Sequence, residues 1–233
     1  MTFTAAWTRS REGPLARIVV IGGHGRTGLL LVEQLVAAGD TVVATIRNPH
    51  HMADLVKLGA ETVVLDLDAS TGPDFQKVFR GADAIIFAAG SATGESSALD
   101  RTGTIKTVRA AVSAGVRRYL TISSLGASTG MRLAGPWATD EMRDYYRQKR
   151  AANKALRAAP LDWTILGPGE LTEEAATGRI TLSEAKLDVD SIPRADVAAT
   201  LVALLQTPAS IGKAFQLVRG TTPIARAVKE ATS

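Results

Sequence analysis

A cluster of glycines stands directly after a short apolar, β-branched run near the start of the chain. The stretch IVVIGGHGRTGLLLVEQL covers residues 18–35, and four of the seven positions 22–28, here called the glycine turn, are glycine. Glycine weakens strands and helices alike, so packing alone gives no reason to gather them. Between a strand and a helix, the first glycines permit a tight bend, Gly25 lets a pyrophosphate approach the backbone, and Gly28 lets the helix pack on the strand. The helix then presents free N–H groups and its positive dipole end to phosphates.

A second set of residues has the chemistry to move a proton. Tyr145 and Lys149 are four apart in a strongly helical stretch, and the strand before it ends in Ser123 and Ser124. A phenol gives or takes the proton at a carbonyl oxygen, and a nearby ammonium lowers the pKa of the phenol from about 10. A serine hydroxyl stabilises the developing oxyanion. The alternative interpretation is a surface pair in a charged helix, with Tyr146 as a packing aromatic.

The sequence after the second apolar run bears on which dinucleotide the glycine turn would bind. NAD-selective folds place Asp or Glu there to bind the adenosine ribose 2′-hydroxyl, but Thr41 to Met52 contains no acid. Arg47 stands there instead, 19 residues after Gly28. An arginine stacks on adenine and pairs with a 2′-phosphate, and Arg26 adds a second cation. The pattern favours NADP(H) as the cofactor; otherwise Arg47 is a solvated helix-capping residue.

Small and acidic residues mark the ends of two further predicted strands. Asp66 and Leu67 end the third apolar run, where they would edge the adenine, and Ala88, Ala89 and Gly90 end the fourth, where they leave room for the dinucleotide. Ligands of open parallel sheets lie at the carboxyl ends of the strands, where the strand order reverses. Each position alone is a weak indication, because strand ends often carry Asp or Gly for capping.

The composition excludes several other classes of function. The 233-residue chain is 45% hydrophobic and 21% charged with a formal net charge of +4, and its basic residues are scattered, so nucleic acid is not expected as a partner. It has no cysteine, and its three histidines lack a second group of ligands, so no metal site is expected. No apolar run is long enough to span a membrane, and the first fifteen residues resemble a loose tail rather than a signal peptide. We expect a cytoplasmic monomer or homodimer with a small-molecule substrate.

Short apolar runs alternate with amphipathic stretches over most of the chain. This order predicts an α/β fold, a doubly wound parallel sheet in a three-layer αβα domain of the Rossmann type over residues 16–233, with a flexible tail over 1–15. The predicted strands cover residues 17–22, 41–46, 61–66, 83–90, 117–124 and 161–168. The predicted helices cover residues 27–39, 51–59, 74–79, 100–115, 139–159 and 194–206.

Several longer segments give the chain a family resemblance from about Arg17 to about Thr222. They include GGHGRTG, IRNPHH, VVLDLD, ADAIIFAAGS, YYRQKRAANKALRAAPLDWTILGPGELTEE and IPRADVAATLVALL. With these the chain resembles atypical short-chain dehydrogenases/reductases, in the NAD(P)-binding subgroup that includes nitrogen-metabolite-repressor-like proteins and biliverdin-IXβ and flavin reductases. The resemblance implies a Rossmann fold that usually binds NADP, often without a known reaction.

The resemblance also assigns roles to individual positions. It implies Ser124 or Ser123 as the catalytic serine, of which we favour Ser124, with Tyr145 and Lys149 as the YxxxK pair and Ser123 and Lys149 also near the cofactor. The cofactor-binding positions that it implies are Gly22, Gly23, His24, Gly25, Arg26, Thr27 and Gly28 in the turn, then Arg47, Asp66, Leu67, Ala88, Ala89, Gly90 and Pro168, the last lining the nicotinamide side.

Two positions depart from the family pattern. His24 replaces a small or amide residue, which would alter the phosphate loop, and Gly167 replaces an arginine found before the proline in many relatives. Small substrate-side loops are predicted over residues 126–142 and 169–190. The first contains Met131, Arg132 and Trp137, which suit a planar or anionic substrate, although Trp137 equally suits a loop anchor.

Three functions fit these patterns. The first is an NADP-dependent oxidoreductase that acts on a carbonyl-type or flavin-like substrate, with Tyr145 as general acid/base assisted by Lys149 and Ser124. The second is a non-catalytic NADP(H)-binding sensor that acts through a partner protein, as repressor-like relatives do, often without the tyrosine or lysine. The third is a sugar-nucleotide epimerase, for which the short C-terminal part leaves little room.

Overall fold

A nine-stranded sheet forms the centre of the computed structural model, which describes residues 16–90, 98–130 and 138–233. Two further short strands form a separate pair. The strands are β1 (Arg17–Ile21), β2 (Thr41–Ile46), β3 (Glu61–Val64), β4 (Ala84–Phe87), β5 (Arg118–Ile122), β6 (Asp162–Pro168), β7 (Glu170–Thr172), β8 (Arg179–Ser183), β9 (Ser191–Pro193), β10 (Lys213–Arg219) and β11 (Thr222–Pro223). The helices are α1 (Arg26–Ala37), α2 (Met52–Lys57), α3 (Gly72–Phe79), α4 (Ala98–Ala114), α5 (Asp140–Arg157), α6 (Arg194–Leu205) and α7 (Ile224–Thr232).

The strand order explains where a ligand would bind. Across the sheet it is β11-β8-β10-β6-β5-β4-β1-β2-β3. The neighbours from β3 to β10 are parallel, and β8 and β11 add an antiparallel edge. The chain leaves β1 towards β3 and then returns to β4, on the other side of β1. This is the predicted doubly wound arrangement, and its ligand crevice opens at the carboxyl ends of β1 and β4.

The helices form a layer on each side of the sheet, and the strands are apolar on both faces for that reason. Ile18 and Val20 of β1 pack with α1, α6 and α7, whereas Val19 and Ile21 pack with α3, α4 and α5. Successive side chains of a strand point to opposite faces, so a strand buried on both sides reads as a continuous apolar run. The three-layer prediction is confirmed.

The C-terminal part contains elements that the sequence patterns did not predict. Strand β10 lies beside β6 and extends the parallel sheet, although its sequence KAFQLVR is interrupted by polar residues. Its Gln216 is fully buried, and the side-chain oxygen accepts a hydrogen bond from the Gly126 N–H at 2.6 Å. A buried polar side chain thus satisfies a backbone N–H group. Its presence interrupts the apolar pattern by which a buried strand is recognised.

Strands also lie within the segment 169–190 that the sequence assigns to a substrate-side loop. Strand β8 belongs to the large sheet, and β7 pairs in parallel with β9. The predicted tail over residues 1–15 lies outside the described residues. In the part of the chain that the structure covers, the helices are all too short or too polar to cross a membrane.

Candidate functional site

The glycine turn is so closely packed that three of its glycines have no room for a side chain. Gly22 has a φ of +79°, and a Cβ there would lie 2.7 Å from the Cα of Ala89, just after β4. A Cβ on Gly28 would lie 2.2 Å from the Gly22 carbonyl oxygen, and one on Gly23 would lie 2.6 Å from the Cβ of Ala44. Steric contact therefore fixes the turn against both β2 and β4.

Gly25 is different, because packing explains it least. It is the exposed N-cap residue of α1, and a Cβ there would touch the Gly22 carbonyl oxygen at a tolerable 3.2 Å. The first turn of α1 has neither a side-chain cap nor an acidic residue of its own, so its N–H groups and positive dipole end are available to an anion. This is the backbone of an anion site, as the sequence predicts for a pyrophosphate.

His24 connects the glycine turn to the helix that follows β2. Its ring stacks on His51 with the centroids 3.7 Å apart, and its Nε2 lies 3.0 Å from a carboxylate oxygen of Asp54. The hydrogen bond with His24 holds the pKa of Asp54 below its ordinary 3.8. The departure at His24 therefore adds a contact between the turn and α2.

Arg47 is exposed and follows directly after β2. The Gly23 N–H donates to the Thr45 carbonyl oxygen at 3.0 Å, so the turn and the end of β2 are neighbours. Among the described residues Arg47 makes no ion pair, whereas Arg26 pairs with Glu173 at 2.8 Å. The two cations that the sequence predicts for the cofactor thus differ: Arg47 is open to a ligand, and Arg26 is shared with a carboxylate.

The side chain of Asp66 is engaged in hydrogen bonds to the loop after β3. Its Oδ1 accepts from the N–H groups of Asp68 and Ala69, at 2.8 and 3.4 Å. Lys106 of α4, a residue the sequence analysis did not single out, donates from its ammonium to the carbonyl oxygens of three residues of this loop: Leu67 at 2.6 Å, Asp68 at 3.1 Å and Ser70 at 2.9 Å. The loop is rigidly anchored, and the adenine contact of Asp66 and Leu67 stays a prediction.

Four residues meet at what we call the catalytic corner: Gly90, Asp100, Tyr145 and Lys149. The Lys149 ammonium lies 3.1 Å from an Asp100 carboxylate oxygen, and both side chains are buried, with 7% and 2% of their surfaces exposed. A Cβ on Gly90 would lie 3.6 Å from that oxygen and 3.9 Å from the lysine nitrogen. Because Gly90 follows Ala89, which touches Gly22, the corner borders the glycine turn.

The corner brings the predicted tyrosine and lysine together, with a partner that the sequence did not reveal. The Lys149 nitrogen lies 5.6 Å from the centroid of the half-buried Tyr145 ring. Asp100 compensates part of the positive charge of Lys149. The chemistry predicted for Tyr145 therefore depends on three residues, and Asp100 belongs to the candidate site.

The two candidate serines lie in different surroundings. The Ser124 hydroxyl donates to the Tyr146 hydroxyl at 3.5 Å, and Tyr146 in turn donates to the Leu125 carbonyl oxygen at 2.9 Å. Ser124 is thus brought to Tyr146, not to Tyr145. The Ser123 hydroxyl is buried and makes no hydrogen bond to any described residue. A buried polar group without a partner is costly, and a ligand oxygen would remove that cost.

The end of β6 explains why residue 167 is glycine. A Cβ on Gly167 would lie 2.7 Å from the Ser124 carbonyl oxygen, so a larger residue would push β5 and β6 apart. The carbonyl oxygen of Pro168 accepts from the Leu125 N–H at 2.8 Å. Ala88 precedes Ala89 and is half-buried, with its N–H donated to the Ile21 carbonyl oxygen at 3.0 Å. The predicted strand-end residues thus line one edge of the sheet.

The sequence analysis missed two residues that lie at the glycine turn, Arg194 and Glu173. Arg194, the first residue of α6, donates to the Thr27 hydroxyl at 3.3 Å and to Glu173 at 2.7 Å. Their signal was weak, since single charged residues between short strands are usually solvated. Met131, Arg132 and Trp137, which were expected to face the substrate, lie outside the described residues.

A tight glycine turn that leads into an uncapped helix, at the point where strand order reverses, defines a nucleotide-binding protein of the Rossmann type. The family is more specific. The model of the NAD(P)H-binding family matches residues 22–208, and the chain belongs to this family. The Rossmann fold and the NAD(P)-binding class predicted from the sequence are confirmed.

Individual relatives agree with this assignment. A Bacillus subtilis (strain 168) protein named as an uncharacterised sugar epimerase, YhfK, is 36% identical, over 92% of this chain and 99% of its own. The structure of an NAD-dependent epimerase/dehydratase from Bacillus halodurans is 32% identical with a TM-score of 0.83, covering 92% and 99% of the two chains. ChuY, an anaerobilin reductase from Escherichia coli O157:H7, is 26% identical with a TM-score of 0.77, covering 87% and 97%. The resemblance to atypical short-chain dehydrogenases/reductases is confirmed.

Proposed function

We propose that the protein is an NADP-dependent oxidoreductase that transfers a hydride between NADPH and a small carbonyl-type or flavin-like substrate. The observation that supports it most is the catalytic corner, where Lys149 lies near Gly90 at the carboxyl end of β4 and its ammonium lies 5.6 Å from the centre of the Tyr145 ring. A tyrosine and a lysine at this edge lie next to the turn expected to bind the dinucleotide phosphates. The reductase among the structural relatives fits the same chemistry.

Each side chain of the corner has a separate role in the proposed reaction. A bound nicotinamide supplies or accepts the hydride. The Tyr145 hydroxyl donates a proton to the substrate oxygen in the reductive direction, and Lys149, oriented by Asp100, stabilises the phenolate that is left. The unpartnered Ser123 hydroxyl is suited to bind the developing oxyanion, and Ser124 is the alternative donor.

The preference for NADP rests on the charges around the end of β2. Arg47 is exposed at the position where NAD-selective folds place an acid. The first acid after it is Asp54, which is bound to His24 and so is turned to the glycine turn. A guanidinium binds a 2′-phosphate in a bidentate way, which the 2′-hydroxyl of NADH cannot reproduce.

Parallel titration with NADPH and NADH, followed by nicotinamide fluorescence, tests the cofactor. We expect NADPH to bind more tightly, and Arg47→Ala to weaken NADPH by about ten- to a hundredfold while leaving NADH unchanged. Arg80→Ala is the control, because Arg80 is equally exposed but ends α3 at the opposite edge of the sheet. NADH binding as tight as NADPH binding would contradict the assignment.

A specific observation favours the non-catalytic sensor as the second candidate. Asp100 compensates the charge of Lys149, which lowers the electrostatic support that Tyr145 receives. A sensor would need the lysine only to position the cofactor. The sensor function would be favoured by two results together. A partner protein would bind to an extent that depends on the ratio of NADP⁺ to NADPH, and no acceptor would be turned over.

The names of two relatives favour a third candidate, sugar epimerisation. An epimerase also needs a tyrosine near a nicotinamide, so the corner alone does not separate the two. Of the five strands after β6, β8, β10 and β11 belong to the large sheet, which leaves few residues of this part for a nucleotide-sugar subdomain. Product analysis after incubation with nucleotide sugars distinguishes epimer formation from net NADPH oxidation.

A further inference from the structure

A short loop over residues 173–178, here called the strap, carries a carboxylate to the glycine turn. Strand β7 pairs in parallel with β9, with Thr172 opposite Pro193. Glu173 follows β7 and Arg194 follows β9, so these two residues lie side by side. One carboxylate oxygen of Glu173 lies 2.7 Å from the Arg194 guanidinium and 2.8 Å from that of Arg26.

Both guanidinium groups lie at the amino end of α1, although Arg194 is a residue of α6. Arg26 is the first residue of α1, and Arg194 reaches the hydroxyl of Thr27, the second residue, at 3.3 Å. The Arg194 side chain is only 11% exposed, so its position is well defined by packing. The first turn of α1 has no acid of its own, and Glu173 supplies a carboxylate from a distant part of the chain.

The strap does not depend on Glu173 for its position. Its far end is anchored by the buried Asp196, which accepts from the N–H groups of Thr177 and Gly178, both at 2.9 Å. Glu174, the neighbour of Glu173, is paired with Arg219 of β10 instead. A change in the charge of residue 173 therefore alters the electrostatics of the turn without releasing the loop.

We propose that Glu173 competes with the pyrophosphate of the cofactor for Arg26 and Arg194, so that Arg194 is a cofactor-binding residue and Glu173 limits the affinity. The inference rests on the proposed binding mode, in which the pyrophosphate lies at the amino end of α1. A pyrophosphate carries two charges and several acceptor oxygens, whereas Glu173 offers one carboxylate that is 59% exposed. Guanidinium groups that hold a carboxylate in this way suit a phosphate equally well.

The carboxylate is ionised under the conditions in which the cofactor binds. The hydrogen bond from Arg194, followed by the charges of Arg194 and Arg26, holds the pKa of Glu173 below its ordinary 4.5. At neutral pH Glu173 therefore stays charged and remains a competitor. The competition concerns the pyrophosphate, which NADPH, NADH and ADP-ribose share, and is independent of the 2′-phosphate.

Calorimetric titration of three variants of the full chain with NADPH, NADH and ADP-ribose at low salt tests the proposal. We expect Glu173→Gln to bind all three ligands more tightly, by about three- to tenfold, because its ion pairs with Arg26 and Arg194 no longer compete with the ligand. Glu174→Gln removes the same charge one residue away and should leave the dissociation constants unchanged. Arg194→Gln should weaken all three ligands by a similar factor.

The outcomes separate this proposal from the proposed function. A Glu173→Gln variant that keeps its melting temperature but binds no ligand more tightly would overturn the competition, whatever the preference between NADPH and NADH. A shared gain in affinity together with tighter NADH than NADPH binding would uphold the competition and contradict the NADP assignment. A wild-type protein that binds none of the three ligands would overturn both.

Discussion

The glycine turn and the catalytic corner touch each other at Ala89 and Gly90, yet they are built in different ways. The turn folds through backbone contacts within a few residues, such as the Gly22 carbonyl oxygen against Gly28, and then packs closely on Ala44 and Ala89. The corner is fixed by an ion pair between Asp100 and Lys149, which are 49 positions apart and lie on two helices. One half of the site is therefore determined locally and the other by the packing of α4 on α5.

This difference predicts how each half responds to change. A backbone turn without space for a Cβ fails when an atom is added, because its neighbours are main-chain atoms that cannot move independently. A buried ion pair fails when one partner is removed, because the other charge stays behind without compensation. In the proposed function the proton transfer belongs to the corner, so substitutions there should separate turnover from cofactor binding.

The largest expected effect is that of Tyr145→Phe on turnover. Removal of the phenolic hydroxyl removes the proposed general acid, and we expect the rate of NADPH oxidation with carbonyl or flavin acceptors to fall by about a hundred- to ten-thousandfold. Binding of NADPH should persist, because the turn supplies the phosphate contacts. Steady-state rates together with NADPH fluorescence titration check both parts.

Tyr146→Phe is the matched control for this experiment. Its hydroxyl donates to the Leu125 carbonyl oxygen and accepts from Ser124, so its loss should cost about 1–2 kcal/mol of stability with turnover nearly retained. Retained turnover in Tyr145→Phe with loss in Tyr146→Phe would transfer the acid role to Tyr146. Retained turnover in both variants would remove tyrosine from the mechanism.

The second effect in size is that of Gly28→Ala on the stability of the turn. The added Cβ would lie 2.2 Å from the Gly22 carbonyl oxygen, and we expect the free energy of unfolding to fall by about 3 kcal/mol and NADPH binding to weaken with it. Gly72→Ala at the start of α3 is the control, because a Cβ there meets no atom within 4 Å. Urea unfolding of both variants measures the difference.

A Gly28→Ala protein as stable as the wild type would show that the turn relaxes easily. The glycines would then have to be explained by the ligand rather than by packing. The comparison between the locally fixed turn and the corner would lose its physical basis. For Gly72→Ala we expect a change within about 0.5 kcal/mol.

The locally determined half of the site was predictable from the sequence. The glycines follow a continuous apolar run and precede an amphipathic one, so their place between β1 and α1 follows from short-range patterns. Arg47 was found in the same way, by its distance from the glycines along the chain. The six predicted strands and the three-layer arrangement also rest on local patterns, because strands buried on both faces are apolar throughout.

The remainder depends on contacts between distant residues. Asp100 gave no signal, since a single acid in a charged helix is normally solvated, and its role appears only when α4 packs on α5. Strand β10 was missed because Gln216 interrupts its apolar run. The buried side chain of Gln216 accepts a hydrogen bond from the Gly126 N–H. The choice between Ser123 and Ser124 also depended on a distant residue, Tyr146, which engages the hydroxyl of Ser124.

The smallest expected effect is that of removing the charge of Asp54. This residue contacts His24, so one part of the locally determined half depends on a side-chain contact. Its carboxylate lies 3.0 Å from His24, and the hydrogen bond keeps the pKa of Asp54 below 3.8, so the group is charged in any neutral assay. A depressed pKa of this kind contributes stability that is present above the unfolded value and is lost as the pH falls through the folded one. Beside the glycine turn, however, the same negative charge opposes the binding of a pyrophosphate.

Asp54→Asn should therefore bind NADPH and NADH about two- to threefold more tightly at low salt, and the gain should fade at high salt, since Asp54 is more than half exposed. Glu33→Gln, two turns along α1, removes an equal charge from an exposed position and is the control. Titrations at two salt concentrations measure the effect. Weaker NADPH binding would mean that Asp54 helps by orienting His24, and the turn would then depend on a side-chain contact as the corner does.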